Sequence, residues 1–133
     1  MLRQIVAPMA GWGMVPLRVV VGLAFLMHGG QKLFVFGFAG VAGFFGSLGI
    51  PAPMVAAVVV TLVEFLGGIA LLLGLYTRWA ALLLAVEMTV AILVVHLRKG
   101  YFLPDGMEFA LVLLGASLTI LLAGPGRMSI DRS

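Results

Sequence analysis

Four long apolar runs dominate the order of hydrophobic and polar positions along this chain. A helix that crosses a bilayer needs about 20 mostly apolar residues. Runs of about that length occupy residues 15–36, 54–75, 79–97 and 107–122. Breakers rich in proline and glycine lie at residues 51–53, 104–106 and 124–126. The pattern predicts an all-α membrane protein in which residues 1–133 form a single domain, a bundle of four transmembrane helices.

The connections between these runs differ in length. Residues 76–78 form a tight turn, so the second and third helices are expected to be antiparallel neighbours. The segment from Gly37 to Pro53 is longer and carries glycine at every third position as far as Gly49. Four bulky residues in this segment share one helical face: Val41, Phe44, Phe45 and Leu48. We expect a short helix here that lies at the membrane surface or re-enters the membrane.

Composition supports the membrane assignment. The chain is 63% hydrophobic and only 10% charged, with a mean hydropathy of +1.25, whereas soluble domains carry roughly 25% charged residues. The absence of cysteine excludes disulfides and thiolate metal sites within this chain. Two histidines and scattered carboxylates do not indicate a metal site either.

The basic residues stand at the ends of the apolar runs. They therefore do not form the basic stripe that would indicate a nucleic-acid partner. In a four-span topology one side holds Arg3, Arg18, Arg78, Arg127 and Arg132. The other side holds Lys32, Arg98 and Lys99. Because cytoplasmic loops carry an excess of basic residues, we expect both termini in the cytoplasm.

Polar residues within or beside the apolar runs are the candidate functional groups, because a charge at a helix centre costs roughly 2.5–3.5 kcal/mol. Those predicted to gather at the non-cytoplasmic end are Glu64, His28, Gln31, Lys32, His96 and Glu108. Arg18, Gly22, Gly29 and Lys32 share one face of the first helix. We expect this face to meet that of Glu64, so that Arg18, Lys32 or His28 neutralises the carboxylate.

A second carboxylate, Glu87, does not fit this cluster. It is nine residues from His96, about half a turn away around a regular helix, and the two cannot face one point unless the helix is irregular. We therefore expect Glu87 to pair with Arg18 or to face another subunit.

Each candidate also has a structural interpretation. Glu64 could form an ion pair that only fixes helix register, and the two histidines could only hydrogen-bond to water or headgroups. Lys32 could extend to the interface, Glu108 could only stabilise a helix N-terminus, and Arg18 could only anchor the topology. The sequence leaves these alternatives open.

Five blocks of residues, in order, carry a resemblance to a known family. They are Arg18-x3-Gly22-x2-Phe25-x2-His28-Gly29-x-Gln31-Lys32, Gly49-Ile50-Pro51-Ala52-Pro53, Glu64-x2-Gly67-Gly68-x3-Leu72-x-Gly74-Leu75-x-Thr77-Arg78, His96-x3-Gly100-x-Phe102-x3-Gly106-x-Glu108 and Gly124-Pro125-Gly126-x2-Ser129-Ile130-Asp131. Over about residues 15–132 the chain resembles the DoxX family of small bacterial membrane proteins.

The resemblance implies a four-helix protein of the bacterial inner membrane. One relative forms part of a thiosulfate:quinone oxidoreductase, and another is described as tying a superoxide dismutase and a sulfurtransferase to the membrane. The matching motif positions are Arg18, His28, Gln31, Lys32, Glu64, His96 and Glu108, whereas relatives more often have an apolar residue in place of Glu87. Without cysteine in this chain, sulfur chemistry would have to run on the substrate or on a partner.

Three functional hypotheses follow, and whether the chain is itself catalytic stays open. The first is a redox-associated subunit that binds a quinone or similar amphiphile at the polar cluster, where a histidine or lysine could donate to a quinone carbonyl. The second is a non-enzymatic scaffold or assembly subunit. The third is a small transporter or channel. The expected partners are the lipid bilayer and either further copies of the chain or a redox protein.

Overall fold

Helices account for most of the computed structural model, which describes residues 1–131; Arg132 of the predicted cytoplasmic set lies outside them. The chain begins with a short helix α1 and a 3₁₀ segment before the first long helix. The α-helices are α1 (Leu2–Val6), α2 (Met14–Gly30), α3 (Gly37–Ser47), α4 (Pro53–Leu73), α5 (Thr77–Ala91) and α6 (Glu108–Ala123). Within the described residues there is no strand, so the all-α prediction is confirmed.

Two of the helices continue into wider, π-helical turns. α2 runs on as a π-helix over Gln31–Phe36, and α5 runs on over Ile92–His96 before a 3₁₀ turn at Leu97–Lys99. π-helical turns are rare and occur frequently at functional sites. Gly37, with φ at +71°, ends the first of them and begins α3.

The four apolar runs correspond, to within a few residues, to helices of the structure. Three continuous helical stretches are long and apolar enough to cross a membrane: Leu2–Ser47, Pro53–Leu73 and Thr77–Lys99. The fourth, α6, is apolar but has only 16 residues, about 24 Å at 1.5 Å per residue. Much of the surface is formed by large apolar side chains such as Leu66, Val90 and Val112, each more than half exposed. A bilayer satisfies such a surface and water does not.

Helix α2 packs most extensively against α4, and glycines set the distance between them. A Cβ atom added to Gly29 would lie 2.4 Å from the backbone nitrogen of Phe65, and one added to Gly68 would lie 2.4 Å from that of Leu26. Small residues allow the close backbone approach that drives helix association in membranes. The two faces predicted to meet therefore do so.

The predicted short helix is present as α3, and its contacts correct one detail. Its buried residues are Val41, Ala42 and Phe45, which pack on Ala57 in the first turns of α4. Phe44, expected on the same face, is 49% exposed. The position of α3 relative to a bilayer stays a prediction.

Helix α5 completes the core between α4 and α6. Gly67 of α4 lies against Leu84 of α5, and Leu84 belongs to an apolar cluster with Met88 of α5 and Leu113 of α6. The predicted turn at residues 76–78 is tight, since Gly74 and Tyr76 both have left-handed backbones. It makes α4 and α5 antiparallel neighbours, as expected.

Candidate membrane-embedded ion-pair site

A buried ion pair joins α2 to the middle of α4. Lys32 Nζ donates to Glu64 Oε1 at 2.9 Å, and the two side chains are 23% and 5% exposed. Lys32 is the second residue of the π-helical turn that follows α2. Of the three cations predicted to neutralise Glu64, the structure therefore selects Lys32. Burying either ion alone in an apolar interior would be costly, so each ion stabilises the burial of the other.

Glu87 on α5 lies beside this pair, and the expectation that it stands apart is wrong. Both of its carboxyl oxygens are buried and have no hydrogen-bond partner among residues 1–131. Gly67 of α4 lies against Leu84 of α5, and one helical turn further along the antiparallel pair Glu64 and Glu87 are brought to the same level. The prediction for Glu87 was wrong because the position of this residue was inferred from that of His96, which is not part of this group. The tight turn was the better signal, because Glu64 and Glu87 are about equally far from Tyr76 and so lie opposite each other.

A groove on the outer surface adjoins the ion pair. It has a volume of about 680 Å³ and is lined by Leu26, Met27, His28, Gly30, Gln31, Val35 and Phe65. Two of its lining residues, Gln31 and Phe65, are the chain neighbours of Lys32 and Glu64. His28 is exposed there, and its ring centroid lies 5.7 Å from that of Phe109 on α6. Gln31 is also exposed, so two polar side chains edge an otherwise apolar groove.

His96 ends the π-helical turn after α5 and Glu108 begins α6; both side chains contact the loop between them, and neither contacts the ion pair. His96 Nδ1 lies 3.0 Å from the carbonyl oxygen of Asp105; since a carbonyl only accepts, Nδ1 carries the proton. Glu108 Oε1 accepts from the backbone nitrogen of Leu103 at 3.0 Å. Glu108 lies in the first turn of α6, as its structural interpretation expects, whereas the partner of His96 is a backbone carbonyl and not water or a headgroup. The predicted cluster thus divides into a buried pair, an outer groove and a loop.

Arg18 lies at the opposite end of the bundle from the other candidates. Its side chain is 1% exposed, and its guanidinium donates to the carbonyl oxygens of Pro125, Arg127 and Met128. It therefore pairs with neither Glu64 nor Glu87. We refer to residues 124–131, which cross this end of the bundle, as the C-terminal clasp.

Asp131 joins the C-terminal clasp to the turn between α4 and α5. Its two carboxylate oxygens accept from the backbone nitrogens of Tyr76 and Thr77, each at 2.8 Å, at the start of α5. Burial alone would raise the pKa of Asp131, but these hydrogen bonds and the charge of Arg18 outweigh it and lower the pKa. Sequence reasoning missed this contact because an aspartate can cap a helix that is distant along the chain.

Metal binding has no support in this geometry. Among the residues that the structure describes, no three histidine, aspartate or glutamate side chains come together in a way that could hold a metal ion. The group at the centre of the bundle consists of one lysine and two carboxylates.

Fold and site together define a class: a small multi-pass helical membrane protein with ionisable groups buried among its helices. The family model of DoxX matches residues 13–97. The chain belongs to the DoxX family.

Curated relatives extend the match over nearly the whole chain. It is 34% identical to the "Putative oxidoreductase CatD" of Bacillus subtilis, over 90% of this chain and 84% of that protein. It is 39% identical to an "Uncharacterized membrane protein" of Mycobacterium tuberculosis, over 87% and 77%, and 31% identical to the "Inner membrane protein YphA" of Escherichia coli, over 86% and 85%. No solved structure matches. These similarities support a multi-pass membrane location.

Proposed function

We propose that this protein is a redox-associated membrane subunit that binds a quinone, or an amphiphile of similar shape, in the groove beside the Lys32–Glu64 pair. The observation that carries the proposal is the combination of an apolar groove, two polar side chains at its edge and an ion pair whose members are the chain neighbours of two lining residues, Gln31 and Phe65. The name of the Bacillus subtilis relative, which describes an oxidoreductase, points in the same direction.

The dimensions and lining of the groove suit such a ligand. Sites for small molecules typically have volumes of about 300–1,000 Å³, with mostly apolar walls and a few polar groups that fix orientation. Here Leu26, Val35 and Phe65 provide the apolar walls, while His28 and Gln31 can donate hydrogen bonds to the carbonyl oxygens of a quinone ring. Exposed apolar residues such as Met27 and Leu23 extend this surface along α2 and can contact an isoprenoid tail.

The π-helical turn after α2 supports the same assignment. Gln31 and Val35 of the groove and Lys32 of the ion pair all belong to it. A wider turn changes the direction in which successive side chains point, and so lets one short segment supply groups both to the groove and to the interior. That dual use is consistent with the frequent occurrence of π-helical turns at functional sites.

Photo-crosslinking with an azido-quinone tests this proposal. With purified protein in lipid nanodiscs, the label should map to residues 26–35 and to Phe65, and an excess of unlabelled quinone should suppress it. His28→Ala should reduce labelling up to about tenfold, since the loss of a hydrogen bond to the ligand costs roughly 1 kcal/mol. His96→Ala is the matched control, because that histidine contacts only the loop, and its labelling should equal that of the wild type.

The outcomes separate the hypotheses. Labelling that is spread over the lipid-facing surface, or that is equal in the His28 and His96 variants, would remove the quinone site. A partner protein that copurifies in stoichiometric amount, and is released by substitutions in the groove, would then favour the scaffold hypothesis.

We further propose that α6 is the fourth span and that both termini lie in the cytoplasm. The excess of basic residues at the end formed by Arg3, Arg78 and Arg127 supports this orientation. Because the chain has no cysteine, single cysteines can report it directly. In intact cells a membrane-impermeant maleimide should label Asp105→Cys and not Gln4→Cys; the reverse pattern would invert the proposed topology.

A further inference from the structure

Three ionisable groups meet in the bundle, and their charges do not balance. Lys32 supplies one positive charge, while Glu64 and Glu87 would supply two negative charges if both were ionised. Each helix packed around this point contributes to the count: Lys32 comes from the end of α2, Glu64 from α4 and Glu87 from α5. The only acidic or basic residue of α6 is Glu108, which contacts the loop. No other described cation contacts the pair.

An extra negative charge at this position would be costly. An isolated ionised carboxylate in an apolar medium is so unfavourable that the group takes up a proton instead, and two carboxylates that share a site rarely ionise together. The hydrogen bonds give a second, independent indication. Lys32 donates to Glu64, whereas both buried oxygens of Glu87 have no donor in the described structure. A proton on the carboxyl pair supplies the missing donor.

We propose that Glu64 and Glu87 hold one proton between them at neutral pH, so that with Lys32 they form a neutral proton-binding site inside the membrane. The assignment gives Glu87 a role. Release of the shared proton leaves one net negative charge at the site, and uptake of a further proton leaves one net positive charge. Each transfer must therefore be followed by the opposite one to restore the neutral state, in which Lys32 balances the single carboxylate. The ligand of this site is the proton itself. Exchange of that proton with a quinone headgroup in the adjoining groove would rest on the function proposed above.

Infrared spectroscopy of the full-length protein in lipid nanodiscs tests the inference without any quinone. A protonated carboxylic acid has a carbonyl stretch that is separate from the carboxylate bands, and labelling glutamate with carbon-13 shifts it. The chain has three glutamates, Glu64, Glu87 and Glu108. We expect the wild type at neutral pH to show a carboxylic-acid band equivalent to one labelled glutamate per chain.

The charge count predicts how each variant changes the carboxylic-acid band. Glu87→Gln and Glu64→Gln should each abolish the band, because the remaining carboxylate is balanced by Lys32. Lys32→Met should double it, because both carboxyls must then be neutral. Asp105→Asn removes an exposed carboxyl from the loop and is the matched control, with the band unchanged.

Two results would overturn the inference. One is the absence of the band in the wild type at neutral pH, a measurement that does not depend on whether any variant folds. The other is a band that survives in both glutamine variants. Because no quinone is present, these results are independent of the crosslinking experiment: a band with no groove labelling would leave a proton site without the proposed ligand.

Discussion

Lys32→Met is expected to destabilise the protein by about 3–4 kcal/mol at pH 7. Without the lysine, Glu64 must take up a proton in order to stay buried. For a glutamate that ordinarily titrates near 4.3, this costs roughly 1.4 kcal/mol for each pH unit above that value. A loss of this size agrees with the roughly 3–5 kcal/mol found when one partner of a buried pair is removed. Unfolding of detergent-solubilised protein, followed by circular dichroism, measures the difference.

The dependence on pH distinguishes this mechanism from simple loss of packing. The folded variant binds one more proton than the folded wild type, so the deficit should shrink by about 1.4 kcal/mol for each unit that the pH falls from 7 to 5. Lys99→Met, at an exposed position beyond the second π-helical turn, is the control and should change stability by less than about 0.5 kcal/mol. A deficit that stayed constant between pH 7 and pH 5 would contradict the account.

Gly29→Ala is expected to loosen the contact between α2 and α4 and to destabilise the protein by about 1–3 kcal/mol, the usual cost of overpacking. The added methyl group would lie 2.4 Å from a backbone nitrogen of Phe65, and backbone cannot move aside as a flexible side chain can. Because Lys32 is carried on the same helix, the distance from Lys32 to Glu64 should also increase.

The neighbouring glycine is the matched control. A Cβ atom at Gly30 meets nothing within 4 Å, so Gly30→Ala should be neutral or stabilise the helix by up to about 1 kcal/mol. The measurement compares the thermal stabilities of Gly29→Ala and Gly30→Ala, which add the same methyl group at adjacent positions. Equal stabilities would show that the helices do not approach each other as closely as described.

The helices themselves could be predicted because a membrane places one strong demand on the sequence. Each span must be long and apolar, and the breakers at residues 51–53 and 124–126 then mark the ends. The α2–α4 contact was also predictable, since Gly22 and Gly29 repeat on the face that carries Lys32. Both signals are local and periodic, which is the kind of information a single sequence carries.

What could not be predicted depends on the departures from regular helix and on contacts between distant segments. Glu87 and His96 do lie apart, as their nine-residue spacing indicates, but the predicted cluster included His96, which ends a π-helical turn and contacts the loop. Arg18 was interpreted from its position on α2 alone, yet its partners lie more than 100 residues away. No periodicity encodes such a contact.

The C-terminal clasp has a consequence for the order of events during synthesis. Arg18 enters the membrane with the first long helix, but the carbonyl groups that surround it are made only when residues 125–128 leave the ribosome. Until then its guanidinium must be satisfied by lipid phosphates or by water drawn into the bilayer. Residues that are translated more than 100 positions after Arg18 therefore complete its burial, and the nascent bundle stays open at that end until they arrive.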